Sequence, residues 1–204
     1  MKIVVVGGSQ GTGRALAEAA VSAGHEVTVL SRSGNGPVGT TVVTGTATDP
    51  AVAREAVAGA DAVVVTVGGA KGSPRARTQV TASVVQAMKQ TGVRRLVVQT
   101  SLGAGGSARQ LPVPLRQLTP LVLKQPLADH DAQEAVVRAS GLDWTIVRPA
   151  GLTNKPATRR WKALRDDELG VLHGSIPRGD VAAFMLQVLE TPSTIGAHIA
   201  ISGT

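Results

Sequence analysis

Gly7, Gly11 and Gly13 are the residues of this chain whose spacing most directly implies chemistry. They follow a short apolar β-branched run, residues 2–6, and open onto an alanine-rich segment, residues 15–21. The run reads as a buried parallel strand and the segment as a helix. The G-x-x-x-G-x-G spacing between them is a variant of the dinucleotide-binding fingerprint. In such a loop one glycine makes the tight turn, one lets backbone N–H groups approach a diphosphate, and one lets the helix pack on the strand. The diphosphate rests at the helix N-terminus, where unpaired N–H groups and the helix dipole favour an anion. The plainer alternative is a tight strand-to-helix turn with no ligand.

The second informative position lies at the end of the next expected strand, residues 26–30. About 20 residues after the glycines, a carboxylate would accept from the ribose 2′-hydroxyl of NAD, whereas an arginine would accommodate the 2′-phosphate of NADP. No Asp or Glu occurs between Val27 and Thr48. Arg32 stands at the decisive place, flanked by the hydroxyls of Ser31 and Ser33. Guanidinium matches phosphate geometry with two parallel bonds. The reading is therefore NADP(H) in preference to NAD(H), against the alternative of an ordinary surface arginine.

The elements that must hold these residues alternate. Strands are expected over 40–44, 63–67, 94–100, 142–147 and 195–201, and helices over 50–58, 74–90, 128–139 and 181–190. Asp49 is placed as an N-cap, Gly92 as a helix terminator and Asp180 as a further cap. This rhythm indicates βαβ units with right-handed crossovers: a Rossmann-type, doubly wound, mostly parallel α/β sheet in one domain spanning 1–204. Ligands bind at the carboxyl edge of such a sheet, so backbone from Val67 through Gly68 to Gly69 is expected near the adenosine or its ribose. Residues 103–126, with Pro112, Pro114, Pro120 and Pro126, read as a long irregular segment forming a wall of the substrate pocket. Residues 153–175 read as a second pocket loop, polar and basic, with a short helix near 161–164.

Bulk composition narrows the partners. The chain has 204 residues and no cysteine, which excludes disulfides and thiolate chemistry. His25, His173 and His198 show no metal-ligand spacing, and no metal is expected. No apolar run approaches the roughly 20 residues needed to span a bilayer. Nor does a signal-like segment precede the first strand. The expectation is a soluble cytoplasmic protein, monomeric or a small homo-oligomer, without a membrane partner. The net charge of +7 comes from lysines and arginines scattered along the chain. With Trp144, Trp161 and Phe184 the only aromatics, a base-stacking nucleic-acid platform is not expected. The charge suits small anionic ligands.

Four stretches together resemble the atypical short-chain dehydrogenase/reductases. They are residues 7–13, the strand end Thr100-Ser101-x-Gly103, the block Ser-Gly-Leu-Asp-Trp-Thr-Ile-Val-Arg-Pro at 140–149, and Ile-Pro-Arg-Gly-Asp-Val-Ala at 176–182. Within these the chain is similar to the NAD(P)H-binding group containing flavin reductase, also called biliverdin-IXβ reductase, and nitrogen-metabolite-repressor-like proteins. The resemblance implies cofactor phosphates on Ser9, Gln10, Gly11 and Thr12, and a 2′-phosphate near Arg32. It also implies nicotinamide beside Ser101 and the turn formed by Pro149, Ala150, Gly151 and Leu152, with Thr100 among the cofactor-binding residues. One departure is Gly45-Thr46-Ala47, where the family often carries Gly-Asp-Val beside the adenine.

The larger departure is catalytic. Typical members use Tyr-x-x-x-Lys to exchange a proton with a carbonyl oxygen, and this chain contains no Tyr. The remaining candidates are Ser101, Lys124, His130 and Asp131. His130 has a pKa class suited to proton transfer near neutrality, and it resembles a histidine of the flavin-reductase group; it also fits a solvent-facing helix residue. Ser101 fits either a nicotinamide or substrate contact or a turn hydroxyl, and Lys124 a loop residue. Reducing a simple ketone leaves an alkoxide that needs an acid nearby. Reducing a flavin or quinone leaves a delocalised anion that water protonates. The expected activity is therefore NADPH-dependent reduction of a conjugated small-molecule acceptor, with Ser101 and His130 at the reacting end. The alternatives are a non-catalytic NADP(H) sensor and, more weakly, a sugar-nucleotide epimerase-like enzyme.

Overall fold

Eight strands form one sheet in the order β3-β2-β1-β4-β5-β6-β10-β8 in the computed structural model, which describes residues 1–69 and 72–204, the side chains of 120 and 121 excepted. The first half is β1 (Lys2–Val6), α1 (Gly11–Ser22), β2 (Glu26–Ser31), β3 (Thr40–Thr44), α2 (Pro50–Val57), β4 (Ala62–Val65), α3 (Ala76–Thr91) and β5 (Arg95–Gln99). The second half is α4 (Val113–Val122), α5 (Lys124–Arg138), β6 (Asp143–Pro149), β7 (Gly151–Thr153), β8 (Trp161–Arg165), β9 (Ser175–Pro177), α6 (Arg178–Leu189) and β10 (Ala197–Gly203). All ladders of the large sheet are parallel except β8 against β10. The order reverses between β1, paired with β2, and its other neighbour β4. An open α/β sheet binds its ligands at such a switch point.

Alternate residues of each central strand serve opposite layers. Ile3 and Val5 face α1 and α6, while Val4 and Val6 face α2 and α3. These side chains are at most 3% exposed. Burying each contributes about 1.5–3 kcal/mol, which is why near-continuous β-branched runs form central parallel strands. Asp49 caps α2 by accepting from the Ala51 amide, and Gly92 closes α3 at φ 77°, as their residue types predict.

Three local expectations are corrected. Residues 103–126 are not irregular: they hold a 3-10 turn at Ser107–Gln110, the whole of α4 and the start of α5. Pro112 is the residue before α4, Pro114 lies in its first turn and Pro126 in the first turn of α5. Proline costs little there, because first-turn N–H groups have no intrahelical partner. Residues 161–165 form strand β8, not a helix. Trp161 and Ala163 alternate onto the α6 side of the core while Leu164 joins a cluster on the other face, a two-residue period that suits a strand. Asp180 does not cap α6, which starts two residues earlier; Pro177 precedes the helix. Instead its buried carboxylate accepts from the backbone amides of Thr158 and Arg159 and from Thr158 Oγ1, tying down the strap between β7 and β8.

Candidate functional site

The turns that follow β1, β2, β4, β5 and β6 open onto a single cleft of about 1310 Å³ at the carboxyl edge of the sheet. Gly7, at φ 86°, starts the loop from β1, and Gly11, at φ 59°, starts α1. Both are backbone conformations that side chains rarely adopt. Gly13 works differently. It is buried, does not line the cleft, and a Cβ there would overlap the Gly7 carbonyl oxygen and Thr66 Oγ1. Its role is the close packing of α1 on the β1 turn, so it supports the ligand loop without touching it. Gln10 gives α1 no side-chain cap, and the first turn holds no acidic residue, so the leading amides and the dipole of this 12-residue helix face the cleft unopposed. These features fit a dinucleotide diphosphate, with Ser9, Gln10, Gly11 and Thr12 all on the lining.

At one end of the cleft stand Ser31, Arg32 and Ser33. Ser31 Oγ and Ser33 Oγ lie 3.0 Å apart, which shapes the turn after β2. Arg32 is exposed and, among the described residues, takes part in no ion pair. Gly45, Thr46, Ala47 and Thr48, after β3, line the same end, and Val67, Gly68 and Gly69 line the cleft after β4. The Gly-Thr-Ala departure therefore still contributes wall, although no carboxylate stands there.

At the other end the structure brings together Gln99, Thr100, Ser101, His130 and the turn formed by Pro149, Ala150, Gly151 and Leu152. Several of these groups are already engaged. Thr100 Oγ1 donates to Glu134 Oε1 at 2.9 Å, and the Ala150 amide donates to Ile201. Among the described residues Ser101 Oγ has only the Leu102 carbonyl, at 3.3 Å, so it remains available to a ligand. His130 is 7% exposed, and its Nδ1 bonds Gln133 Oε1 at 3.1 Å. Gln133 Nε2 in turn donates to Thr81 Oγ1 at 3.0 Å, which orients the amide and assigns the proton to His130 Nδ1. Burial first, then the Arg77 charge, holds the imidazole below the usual histidine range. His130 is thus a neutral ring whose Nε2 lone pair is left over for the cleft, and not a solvent-facing residue.

Lys124 and Asp131 are not brought to the site. Lys124 is exposed at the start of α5 and off the cleft lining. Asp131 Oδ1 accepts from the Gly105 amide at 2.7 Å, pinning the loop after β5. Sequence reasoning also missed Arg77, Asn154 and Arg178, all on the lining. Arg77 Nη1 lies 3.3 Å from buried Asp129, whose carboxylate also takes the Arg77 and Thr78 amides at the start of α3. A signal for Arg178 existed in its place next to a helix start at Pro177-Arg178-Gly179.

Behind the site sits a buried ion pair. Arg148 Nε and Nη2 meet Glu134 Oε1 and Oε2 at 2.8 and 2.7 Å, with both side chains at most 1% exposed. Arg148 Nη1 also donates to Asp166 Oδ1 at 2.6 Å. Burial would raise the Glu134 carboxyl, but the bonds and charge of Arg148 outweigh it and hold the group below its ordinary value. A Cβ on Gly105 would overlap this pair, so only glycine fits there.

A family model described as NAD(P)H-binding matches residues 7–192. The chain belongs to this NAD(P)H-binding family. A similar protein, the uncharacterised sugar epimerase YhfK of Bacillus subtilis strain 168, is 28% identical over 144 residues, covering 68% of this chain. That match spans 61% of the relative's own length. Two solved structures share the family's fold. The anaerobilin reductase ChuY of Escherichia coli O157:H7 superposes with TM-score 0.82 at 24% identity, covering all of this chain and 97% of that one. A wide-type short-chain dehydrogenase/reductase of Veillonella parvula, in complex with NADP, does so with TM-score 0.82 at 21% identity, covering 98% and 94%.

Proposed function

We propose that the protein is an NADPH-dependent reductase that delivers hydride to a flat conjugated acceptor such as a flavin or quinone. The observation that carries this reading is the pairing of a dinucleotide cleft with an apolar wall and no proton donor of the usual kind. Leu102, Leu111, Leu115, Leu123, Leu127 and Leu172 line the cleft around its reacting end. The chain has no Tyr, and the neutral His130 offers a lone pair where an acid would be needed. A ketone would be served badly by such a site. A conjugated acceptor spreads the incoming charge and takes its proton from water, so binding and alignment suffice.

NADPH, when bound, supplies the hydride. The glycine loop and the first amides of α1 hold its diphosphate, Arg32 and Ser33 its 2′-phosphate, and backbone at Val67 and Gly68 borders its adenosine half. Ser101 hydrogen-bonds the nicotinamide or the acceptor, and His130 accepts a hydrogen bond at Nε2, which fixes orientation without moving a proton. The leucine wall excludes water from the acceptor face.

The test is NADPH oxidation followed with free flavin and a panel of quinones. Turnover with at least one supports the reading. Tight NADPH binding with no turnover on any acceptor would sink it and favour the sensor. The relation to YhfK keeps an epimerase-like reaction as the second reading; it predicts enzyme that retains NADP⁺ and converts a nucleotide sugar without net oxidation.

A further inference from the structure

The geometry points to Arg178 as a second anchor for the dinucleotide, a guanidinium that closes over the diphosphate from the start of α6. The inference rests on the cofactor reading above and adds a residue to it.

Three observations carry it. Arg178 is the first residue of α6, on the cleft lining. Its Nε stands 3.5 Å, and its Cδ 3.8 Å, from the point where a Gly11 Cβ would be. The side chain therefore lies over the first residue of α1, where the leading amides receive the anion. Its position is set from the other side, since Nη1 donates to Asn154 Oδ1 at 2.7 Å. That acceptor is neutral, and among the described residues Arg178 belongs to no ion pair. The nearby carboxylate of Asp180 is fully buried and engaged by Thr158 and Arg159, so it does not neutralise the arginine.

The strap from 154 to 159 explains why the arginine holds this place. Asp180 ties its far end, Asn154 at its near end holds the guanidinium, and Ala157 rests against Gly179, where an added Cβ would come within 2.9 Å of it. The result is a fixed cation facing a helix N-terminus, and a doubly charged bridging group is the chemistry that satisfies both. Arg32 reads the 2′-phosphate, which only NADPH carries. Arg178 faces the diphosphate, which NADPH and NADH share. The two arginines should therefore separate cleanly.

Isothermal titration of NADPH and NADH into the full chain tests this, using wild type, Arg178→Gln and Arg32→Ala. Loss of a charge-assisted contact of this kind corresponds to roughly a 10- to 100-fold rise in Kd. Arg178→Gln is expected to weaken both nucleotides by that factor and to flatten the salt dependence of Kd. Arg32→Ala is expected to weaken NADPH alone. Unchanged Kd values in Arg178→Gln, beside a wild type that binds, would overturn the inference and leave the cofactor reading intact. Selective loss of NADPH would overturn it too, by reassigning Arg178 to the 2′-phosphate. A wild type that binds neither nucleotide removes the cofactor reading and this inference together. Should Arg178→Gln fail to fold by circular dichroism, Arg178→Lys replaces it, with a smaller loss expected for both nucleotides and equal affinity again counting against the proposal.

Discussion

Arg32 and His130 are single side chains to which the proposed function gives specificity and orientation without bond chemistry. Arg32 is exposed beside the Ser31–Ser33 turn, with its charge unmatched by any carboxylate among the described residues. Replacing it with alanine is expected to cost NADPH about 1–3 kcal/mol of binding, the worth of a charge-assisted hydrogen bond, and NADH almost nothing. Equal losses, read by titration, would remove it from the 2′-phosphate role. His130 makes a prediction about pH. Its ring is held below the ordinary histidine value by burial and by Arg77, so it is predominantly neutral across roughly pH 7 to 8. The rate of flavin reduction at saturating NADPH is expected to be flat over that range. A rate that falls as pH rises, and loses that dependence in His130→Gln, would instead make His130 an acid. That much of His130 was legible as a titratable residue; the fixed tautomer was not, because it depends on Gln133 and on Thr81 from a different helix.

Among the elements, β1, β2, β4, β5 and β6 were readable because each carries a buried apolar run, edge strand β3 through its β-branched residues, and the helices between them through their periodicity and terminators. Asp49 and Gly92 are examples in which local chemistry and the tertiary fold agree. The elements that escaped are those whose identity is set by neighbours. Strand β8 exists because β10 offers it an antiparallel edge, and β7 and β9 exist by pairing with each other. Helix α4 was hidden by its prolines: Pro112 and Pro114 sit at its start, and Pro120 falls within it. Leu115 on it and Leu123 just after it line the cleft yet are 45% and 41% exposed. The double substitution Leu115→Ser, Leu123→Ser should therefore raise KM for a flavin or quinone several-fold, with the Kd for NADPH unchanged. Burying part of two leucines against a ligand is worth about 1 kcal/mol, roughly a fivefold change, which sets that scale. A change confined to NADPH affinity would place α4 outside the acceptor's path.

For the molecule as a whole, the Glu134–Arg148 pair joins α5 to β6, and Asp166 after β8 extends the link. Removing one partner of a buried pair strands the other, so Glu134→Gln is expected to destabilise the fold by about 3–5 kcal/mol in denaturant unfolding. The pH dependence follows from three lowered groups. Glu134 holds its carboxyl below the ordinary value, so the stability it contributes is present above the unfolded pKa and is lost as pH falls. His130 and His198 are lowered as well, chiefly by burial, and the unfolded chain therefore takes up their protons first. All three act in one direction. The melting temperature is expected to drop as pH falls from about 6.5 towards 4, the ordinary histidine and carboxylate values, and a melting temperature that rises on acidification would contradict the assignment of these groups. NADPH at 100 times its Kd should add roughly 2.7 kcal/mol, measured as a thermal shift.

The chain bends at Leu123, where α4 stops and α5 begins in the next residue. His130 and Glu134 sit beyond that joint, on the anchored helix, and every contact proposed for the nucleotide comes from other turns. That ten-residue helix, which brings Leu115 and Thr119 to the wall, contacts chiefly the 3-10 turn before it and α5 after it. A lineage could exchange that piece for another and change the acceptor while the proposed cofactor site stays as it is.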